Sequence, residues 1–399
     1  MNKKQLKIFS NLLSNGWYDC ELYQGRFDFI KDKSNVSEDE FTNIPFSYKN
    51  DLRSYGLESR ENHKSPTFGI FGSSGTTGKK TRSKFSMNDR KVFDKIASTI
   101  LHRVGVKEGD IGVICAPILD GVMAHTMMWE YTSVNAAYVN CPVPSLDNFL
   151  EVLDNVHPTA VSGLPSALDF SLNPNFKVPE NSSIKFLLTG GHYFSNAKRK
   201  IIEKKWNLNW YDFLGASEIF GPIMGECRIK NGLHYDHDLF LVEIIDQDTL
   251  KPIKCDGQIG VLVITPLWGK GSPLVRYWTD DLAYRISTSC PCGEKGDRII
   301  VCGRNSDSLY INGKYIFPRE IEEIMFSESS FPNAYIDINK NGEIVFFYCE
   351  LTEKGKERIS DLFGIETKFV VNDNFENMKK NKPSYFSKEI KEKFKREIK

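Results

Sequence analysis

Between residues 88 and 214 short apolar runs of strand length alternate with stretches of helical period, and this alternation restricts the chain to an α/β architecture. Phe93, Ile96, Ala97, Ile100, Leu101 and Val104 recur at helical spacing from Asn88 to Val104, with Ser86 or Asn88 as N-cap. The runs Ile111 to Ala116, Ala136 to Cys141, Ala160 to Gly163, Phe186 to Leu188 and Trp210 to Leu214 read as buried strands. Helical stretches at Leu146 to Asn155 and Asn196 to Lys204 separate several of them, which predicts largely parallel sheets. From Leu239 to Thr265 the pattern becomes strand, turn, strand, with Phe240 to Ile245 and Ile259 to Ile264 on either side of Asp248-Thr249, and predicts an antiparallel β element.

Upstream of this core, Ser73-Ser74-Gly75-Thr76-Thr77-Gly78-Lys79-Lys80 is built to hold phosphates. Gly75 and Gly78 can take positive φ and let backbone N–H groups approach an anion, the four hydroxyls of Ser73, Ser74, Thr76 and Thr77 add donors, and Lys79 adds charge. A Walker-type loop is excluded: its first glycine position holds Ser73, and Lys80 stands where a magnesium-binding hydroxyl is required. Extended-favouring residues on both sides, Phe68 to Phe71 and Thr81 to Phe85, place the loop between two strands.

Composition limits the partners. Lysines plus arginines balance aspartates plus glutamates at 52 each, so no global charge favours nucleic acid or a membrane surface. The first twenty residues lack a signal-peptide core and no apolar run reaches membrane-spanning length, which makes the cytoplasm the expected location. Nine cysteines at irregular spacing argue against a secreted disulfide framework and leave room for metal ligation.

With the loop in view, a longer series of motifs resembles the AMP-forming acyl and aryl acid ligases, and within them the phenylacetate-CoA ligase branch. The series runs from Ile44-Pro45-Phe46-Ser47-Tyr48-Lys49-Asn50-Asp51-Leu52-Arg53 through Gly190-Gly191, Gly215-Ala216-Ser217-Glu218, Glu226-Cys227 and Gly232-Leu233-His234. It continues with Arg276-Tyr277-Trp278-Thr279-Asp280-Asp281, Cys290-Pro291-Cys292-Gly293, Gly303-Arg304 and Phe317-Pro318. The resemblance implies a large N-terminal adenylation domain, residues 1–303, and a small mobile α+β C-terminal domain, residues 304–399. It further implies that ATP activates a carboxylic acid, aryl or amino, as acyl-AMP with release of pyrophosphate. A thiol of coenzyme A or of a carrier protein's phosphopantetheine then takes the acyl group.

By the same resemblance, Ser73 to Lys79 grip the β- and γ-phosphates, Glu218 helps hold Mg²⁺, and Ser217 lies near the α-phosphate. Gly190 and Gly191 let adenine lie against backbone, Gly215 of the Gly215-Ala216-Ser217-Glu218 motif binds the nucleotide, Asp281 accepts from the ribose hydroxyls with Asp280 as its rival, and Arg304 reaches ribose or phosphate. Cys227, His234, Cys290 and Cys292 form a closed tetrahedral donor set for a structural Zn²⁺, with His237 as rival to His234.

Four departures from the family pattern stand out. Leu214 replaces an adenine-stacking tyrosine, which shifts stacking toward Tyr211 or Phe213; Ser306 replaces the first hinge aspartate; and Lys388, without a neighbouring glycine, is the candidate for the C-terminal adenylation lysine. In the acid pocket, Asp120 or His125 meets a polar group on the substrate, or else the stretch from Gly121 to Trp129 is an amphipathic helix with Met and Trp toward the core. Two other classes follow from these departures: a nucleotide-binding protein that has lost catalysis, and an acyl-protein synthetase.

Overall fold

The computed structural model describes residues 1–73, 80–116, 122–141, 146–329, 332–372 and 385–396. The chain opens with α1 (Lys3–Ser14), α2 (Glu38–Asn43) and α3 (Lys49–Ser54), followed by the antiparallel hairpin of β1 (Thr67–Gly72) and β2 (Arg82–Ser86). Next comes α4 (Met87–Val104), which starts at Ser86, the first of the two expected caps: the Ser86 hydroxyl takes the Asp89 amide and the Asp89 carboxylate returns to Ser86. It stops at Gly105, whose φ of +104° suits a left-handed C-cap.

The predicted alternation follows as β3 (Ile111–Cys115), α5 (Val122–Thr132), β4 (Ala137–Asn140), α6 (Leu146–Val156), β5 (Ala160–Gly163), β6 (Phe186–Gly190), α7 (Asn196–Trp206) and β7 (Asn209–Ala216). Strands β4, β3, β5, β6 and β7 lie side by side and parallel. Val113, Ile114, Val161, Leu187, Leu188 and Trp210 are each at most 1% exposed, which is why these strands read as continuous apolar runs and not as alternating ones.

The antiparallel element is not a separate layer. Strands β8 (Gly221–Gly225), β9 (Leu233–Tyr235), β10 (Phe240–Ile245), β11 (Gly260–Pro266), β12 (Tyr277–Ile286) and β13 (Arg298–Arg304) continue the same sheet. Among the described residues it has eleven strands in the order β10-β11-β12-β13-β9-β8-β7-β6-β5-β3-β4. The expected strand–turn–strand is β10 on β11, with Phe240 opposite Pro266 and Ile245 opposite Val261. The sheet turns from parallel to antiparallel between β7 and β8, where the register shifts between Leu214 and Gly215.

Helix α5 corrects the amphipathic reading of its segment. Val122, Ala124, Thr126, Met127, Met128, Glu130 and Tyr131 are all buried, and a helix covered on every side belongs to the core. One face meets Phe85, Phe93 and Phe220, with Trp129 packed against them; the other meets Leu101, Ile114 and Leu188.

Two compact units divide the chain: Met1–His192, Trp206–Thr279 and Ala283–Ile300 form the first, and Tyr193–Lys205, Asp280–Leu282 and Val301–Lys399 the second. The second unit contains the hairpin β14 (Leu309–Ile311) and β15 (Lys314–Ile316), closed by Asn312 and Gly313 at φ +50° and +79°, a two-residue turn that matches the strand twist. After it come α8 (Pro318–Glu328), β16 (Ala334–Ile338), β17 (Ile344–Tyr348), α9 (Glu353–Phe363), β18 (Thr367–Val371) and α10 (Lys388–Lys393). Ile321, Met325, Ile336, Phe346 and Ile359, each 0% exposed, make its core between the three-stranded sheet β16-β17-β18 and the helices. Among the described residues no helix is long and apolar enough to cross a membrane.

Candidate functional site

Ser73 closes the neck of the phosphate-loop hairpin. Its amide donates to the Thr81 carbonyl at 2.8 Å, and its hydroxyl accepts from the Thr81 amide at 3.2 Å. Ser74, Gly75, Thr76, Thr77, Gly78 and Lys79 lie outside the described residues, as does Asp120 of the acid pocket.

The base of that hairpin is fixed by a buried charge pair that the sequence did not disclose. Asp89 Oδ2 accepts from Ser86 N and Oγ, both at 2.7 Å, and from Gly271 N at 2.8 Å, while Oδ1 accepts from Trp268 Nε1 at 2.9 Å and lies 3.5 Å from Lys270 Nζ. Lys270 also donates to the Ile219 carbonyl at 3.1 Å. Burial lowers the Lys270 pKa and the Asp89 carboxylate opposes that fall. Gly271 is required here: a Cβ would stand 2.9 Å from Ser86 N and 3.0 Å from the Lys84 carbonyl.

Ile219 follows Glu218, so this network joins the phosphate-loop hairpin to the candidate magnesium ligand. Ser217 and Glu218 occupy the turn between β7 and β8, where Ile219 and Phe220 both donate to the Ala216 carbonyl. The Glu218 side chain is only 7% exposed, and Lys49 Nζ lies 3.1 Å from its Oε1, in ion-pair range but out of line for a hydrogen bond. Arg60, bonded to the carbonyls of Tyr55 and Arg82, adds a second positive charge near this carboxylate. Lys49 and Arg60 had no role in the sequence reading; Lys49 was visible only as a letter in the N-terminal motif.

The glycines have local reasons to be glycine. A Cβ on Gly190 would meet the Phe213 carbonyl at 2.8 Å and one on Gly215 the Gly221 carbonyl at 2.8 Å, while Gly191 has φ +78°. Tyr211, offered as a substitute for the missing adenine-stacking tyrosine, is 4% exposed and packs in the core against Leu188 and its neighbours, so its ring face is already covered. His125 sits with its ring 5.5 Å from Phe71 and 5.8 Å from Trp129.

In the second unit Asp281 Oδ1 and Arg304 Nε lie 3.4 Å apart, which brings together two residues expected to touch the nucleotide. The rival Asp280 is held instead by Ser306 and Asn305; burial raises its pKa against these hydrogen bonds. Lys388, at the start of α10, is 84% exposed and 3.7 Å from Glu392.

The Cys/His set converges. The donor atoms of Cys227, His234, Cys290 and Cys292 all lie within 4.8 Å of one another. Cys227 Sγ is 3.8 Å from Cys290 Sγ and Cys292 Sγ is 3.5 Å from His234 Nε2. With metal–sulfur bonds near 2.3 Å and metal–nitrogen bonds near 2.05 Å, a tetrahedron has S···S edges of about 3.8 Å and S···N edges of about 3.5 Å, which the Cys227–Cys290 and Cys292–His234 edges match. Burial, with Arg103 close by, lowers the His234 pKa to about 4, which keeps the imidazole in its ligating neutral form. Its Nδ1 faces Glu294 Oε2 at 3.8 Å, and Arg103 holds that carboxylate at 2.5 Å, a carboxylate behind a histidine of the kind that orients metal ligands. His237 packs against Tyr235 in a tilted arrangement with ring centroids 4.0 Å apart and is not in the set.

No family model matches the chain. It is 28% identical over 324 residues to the phenylacetate-coenzyme A ligase of Thermus thermophilus, covering 77% of this chain and 70% of that one. To the phenylacetate-coenzyme A ligase of Escherichia coli it is 24% identical over 396 residues, covering 90% and 88%. Among solved structures, 2-hydroxyisobutyryl-CoA ligase in its postadenylation state superposes with a TM-score of 0.80 at 19% identity, over 92% of this chain and 85% of that chain. An anthranilate CoA ligase in complex with anthranoyl-AMP gives 0.60 at 15% identity, over 82% and 70%. Along most of its length the chain is similar in sequence to phenylacetate-coenzyme A ligases, and it shares the fold of these solved CoA ligases.

Proposed function

We propose that the chain activates a carboxylic acid with ATP and passes the acyl group to the thiol of coenzyme A. The supporting observation is the buried network in which Lys270 ties the phosphate-loop hairpin, through Asp89, to the turn that carries Glu218. The base of the hairpin and the turn with the buried carboxylate thereby share one anchor, which supports a site where displacement at phosphorus needs fixed groups.

The acid's carboxylate oxygen attacks the α-phosphorus, the bond to the bridging oxygen of the β-phosphate breaks, and pyrophosphate leaves. The thiol sulfur then attacks the acyl carbon and AMP leaves. Ser73 to Lys79 grip the departing phosphates, Ser217 donates near the α-phosphate, Asp281 takes the ribose hydroxyls beside Arg304, and Lys388 reaches the reacting carboxylate. Glu218 holds Mg²⁺, which neutralises phosphate charge when bound. Cys227, His234, Cys290 and Cys292 hold a structural Zn²⁺ with no open position. The acid is an aryl or amino acid, and a carrier-protein phosphopantetheine is the competing acceptor.

Acid-dependent ATP–pyrophosphate exchange across benzoic, phenylacetic, fatty and amino acids tests this reading. Exchange with one class supports adenylation and names the substrate. Silence across the panel by a protein that still binds ATP overturns it in favour of a nucleotide binder without catalysis.

A further inference from the structure

Lys49 is carried on a segment that buried charges hold in place. Arg276, 1% exposed, donates to the carbonyls of Thr42 and Ile44, forks onto Glu243 at 3.0 Å through both Nε and Nη2, and lies 4.2 Å from the Phe46 ring. Ser47 is bonded on three sides: its amide to the Arg276 carbonyl at 3.1 Å, its carbonyl from Trp278 N at 3.0 Å, and its hydroxyl to the Val275 carbonyl at 2.7 Å. Arg276 itself has φ +47°, a conformation that costs a non-glycine residue and persists where the surroundings impose it. Tyr48 N then donates to Asp51 Oδ2 at 3.0 Å and starts α3, so the Lys49 backbone has little freedom.

From this platform the ammonium reaches Glu218 Oε1, with 39% of the Lys49 side chain still exposed to solvent. A buried carboxylate facing an ammonium out of hydrogen-bond alignment is an exchangeable pair: each partner has bonding capacity left for a ligand. We propose that Lys49 is a substrate-contacting residue that binds the terminal phosphates of ATP, its ammonium moving from Glu218 onto phosphate oxygen when that carboxylate takes a divalent cation. This inference rests on the proposed adenylation function.

The test is equilibrium titration of the full chain and of its Lys49→Met and Lys49→Arg variants with ATP and with AMP in Mg²⁺, alongside pyrophosphate exchange. Lys49→Met should bind ATP roughly tenfold or more weakly while AMP binding changes less than about twofold, and Lys49→Arg should recover most of the loss, because the charge is retained. Unchanged ATP affinity in Lys49→Met overturns the proposal, as does an equal loss for ATP and AMP. A lower Mg²⁺ requirement at unchanged ATP affinity also overturns it, since the lysine then only occupies the cation's place. If the wild-type chain exchanges no pyrophosphate with any acid, the adenylation reading fails, and the ATP-against-AMP comparison still decides the role of Lys49.

Discussion

Glu243 and Arg276 meet through a two-bond fork, each N···O distance 3.0 Å, with their side chains 5% and 2% exposed. Removing one partner strands a buried charge. Glu243→Gln should therefore cost about 3–5 kcal/mol of stability, and Arg276→Lys a comparable amount, because lysine cannot fork onto a carboxylate and reach two carbonyls as well. Urea unfolding of the variants measures it, and an unchanged midpoint would refute it.

Glu130 gives a pH signature. Burial alone pushes its carboxyl up to about 8 from the ordinary 4.5. Below 4.5 both folded and unfolded states are protonated and its contribution is intact; between 4.5 and about 8 the unfolded chain ionises while the folded chain keeps its proton. Stability should fall in that window by about 1.4 kcal/mol per pH unit relative to Glu130→Gln, and level off above it. Parallel pH titrations of unfolding free energy for the two proteins would expose a flat difference, which contradicts this account.

The Cys/His set should carry about one Zn²⁺ per chain when the protein is purified without chelator. Cys290→Ser should lose most of it and lower the melting temperature, since a structural site contributes folding energy. Elemental analysis finding less than about half an equivalent in the wild-type chain counts against the assignment.

Ser74→Ala combined with Lys79→Ala should lower pyrophosphate exchange by the equivalent of about 2–4 kcal/mol in transition-state stabilisation, through loss of charge-assisted donors. Equal rates in the variant and the parent would remove the loop from the phosphate site.

Lys388→Met should impair formation of acyl-AMP while sparing transfer from synthetic acyl-AMP to coenzyme A, because only the first step develops charge between carboxylate and α-phosphate. Equal damage to both half-reactions would point to a folding defect.

What the sequence disclosed was local. The period from Phe93 to Val104, the apolar runs at Ile111 and Ala160, and the Ser86 cap are written within one or two turns of chain and emerge as α4, β3 and β5. The joining of both strand groups into one sheet was not readable, because β9 has only three residues and its partner β13 lies far along the chain. The same distance hid Lys270 from Asp89, 181 residues apart, whereas Cys227 and Cys290, 63 apart, were matched only because the family resemblance paired them. Tyr211 misled for a different reason: an aromatic on a strand declares no face until its packing partners are known, and here it joins the buried cluster of Ile114 and Leu188.

The Asp89 cluster also bears on the order of assembly. Three of the groups that converge on its carboxylate, from Trp268, Lys270 and Gly271, come 179, 181 and 182 residues later. On the ribosome, β1, β2 and α4 are therefore made long before their anchor exists, and Asp89 stays hydrated until the segment after β11 emerges. The β1–β2 hairpin is local in sequence yet sealed late, so a translation arrest before residue 268 should leave it frayed and open to proteases.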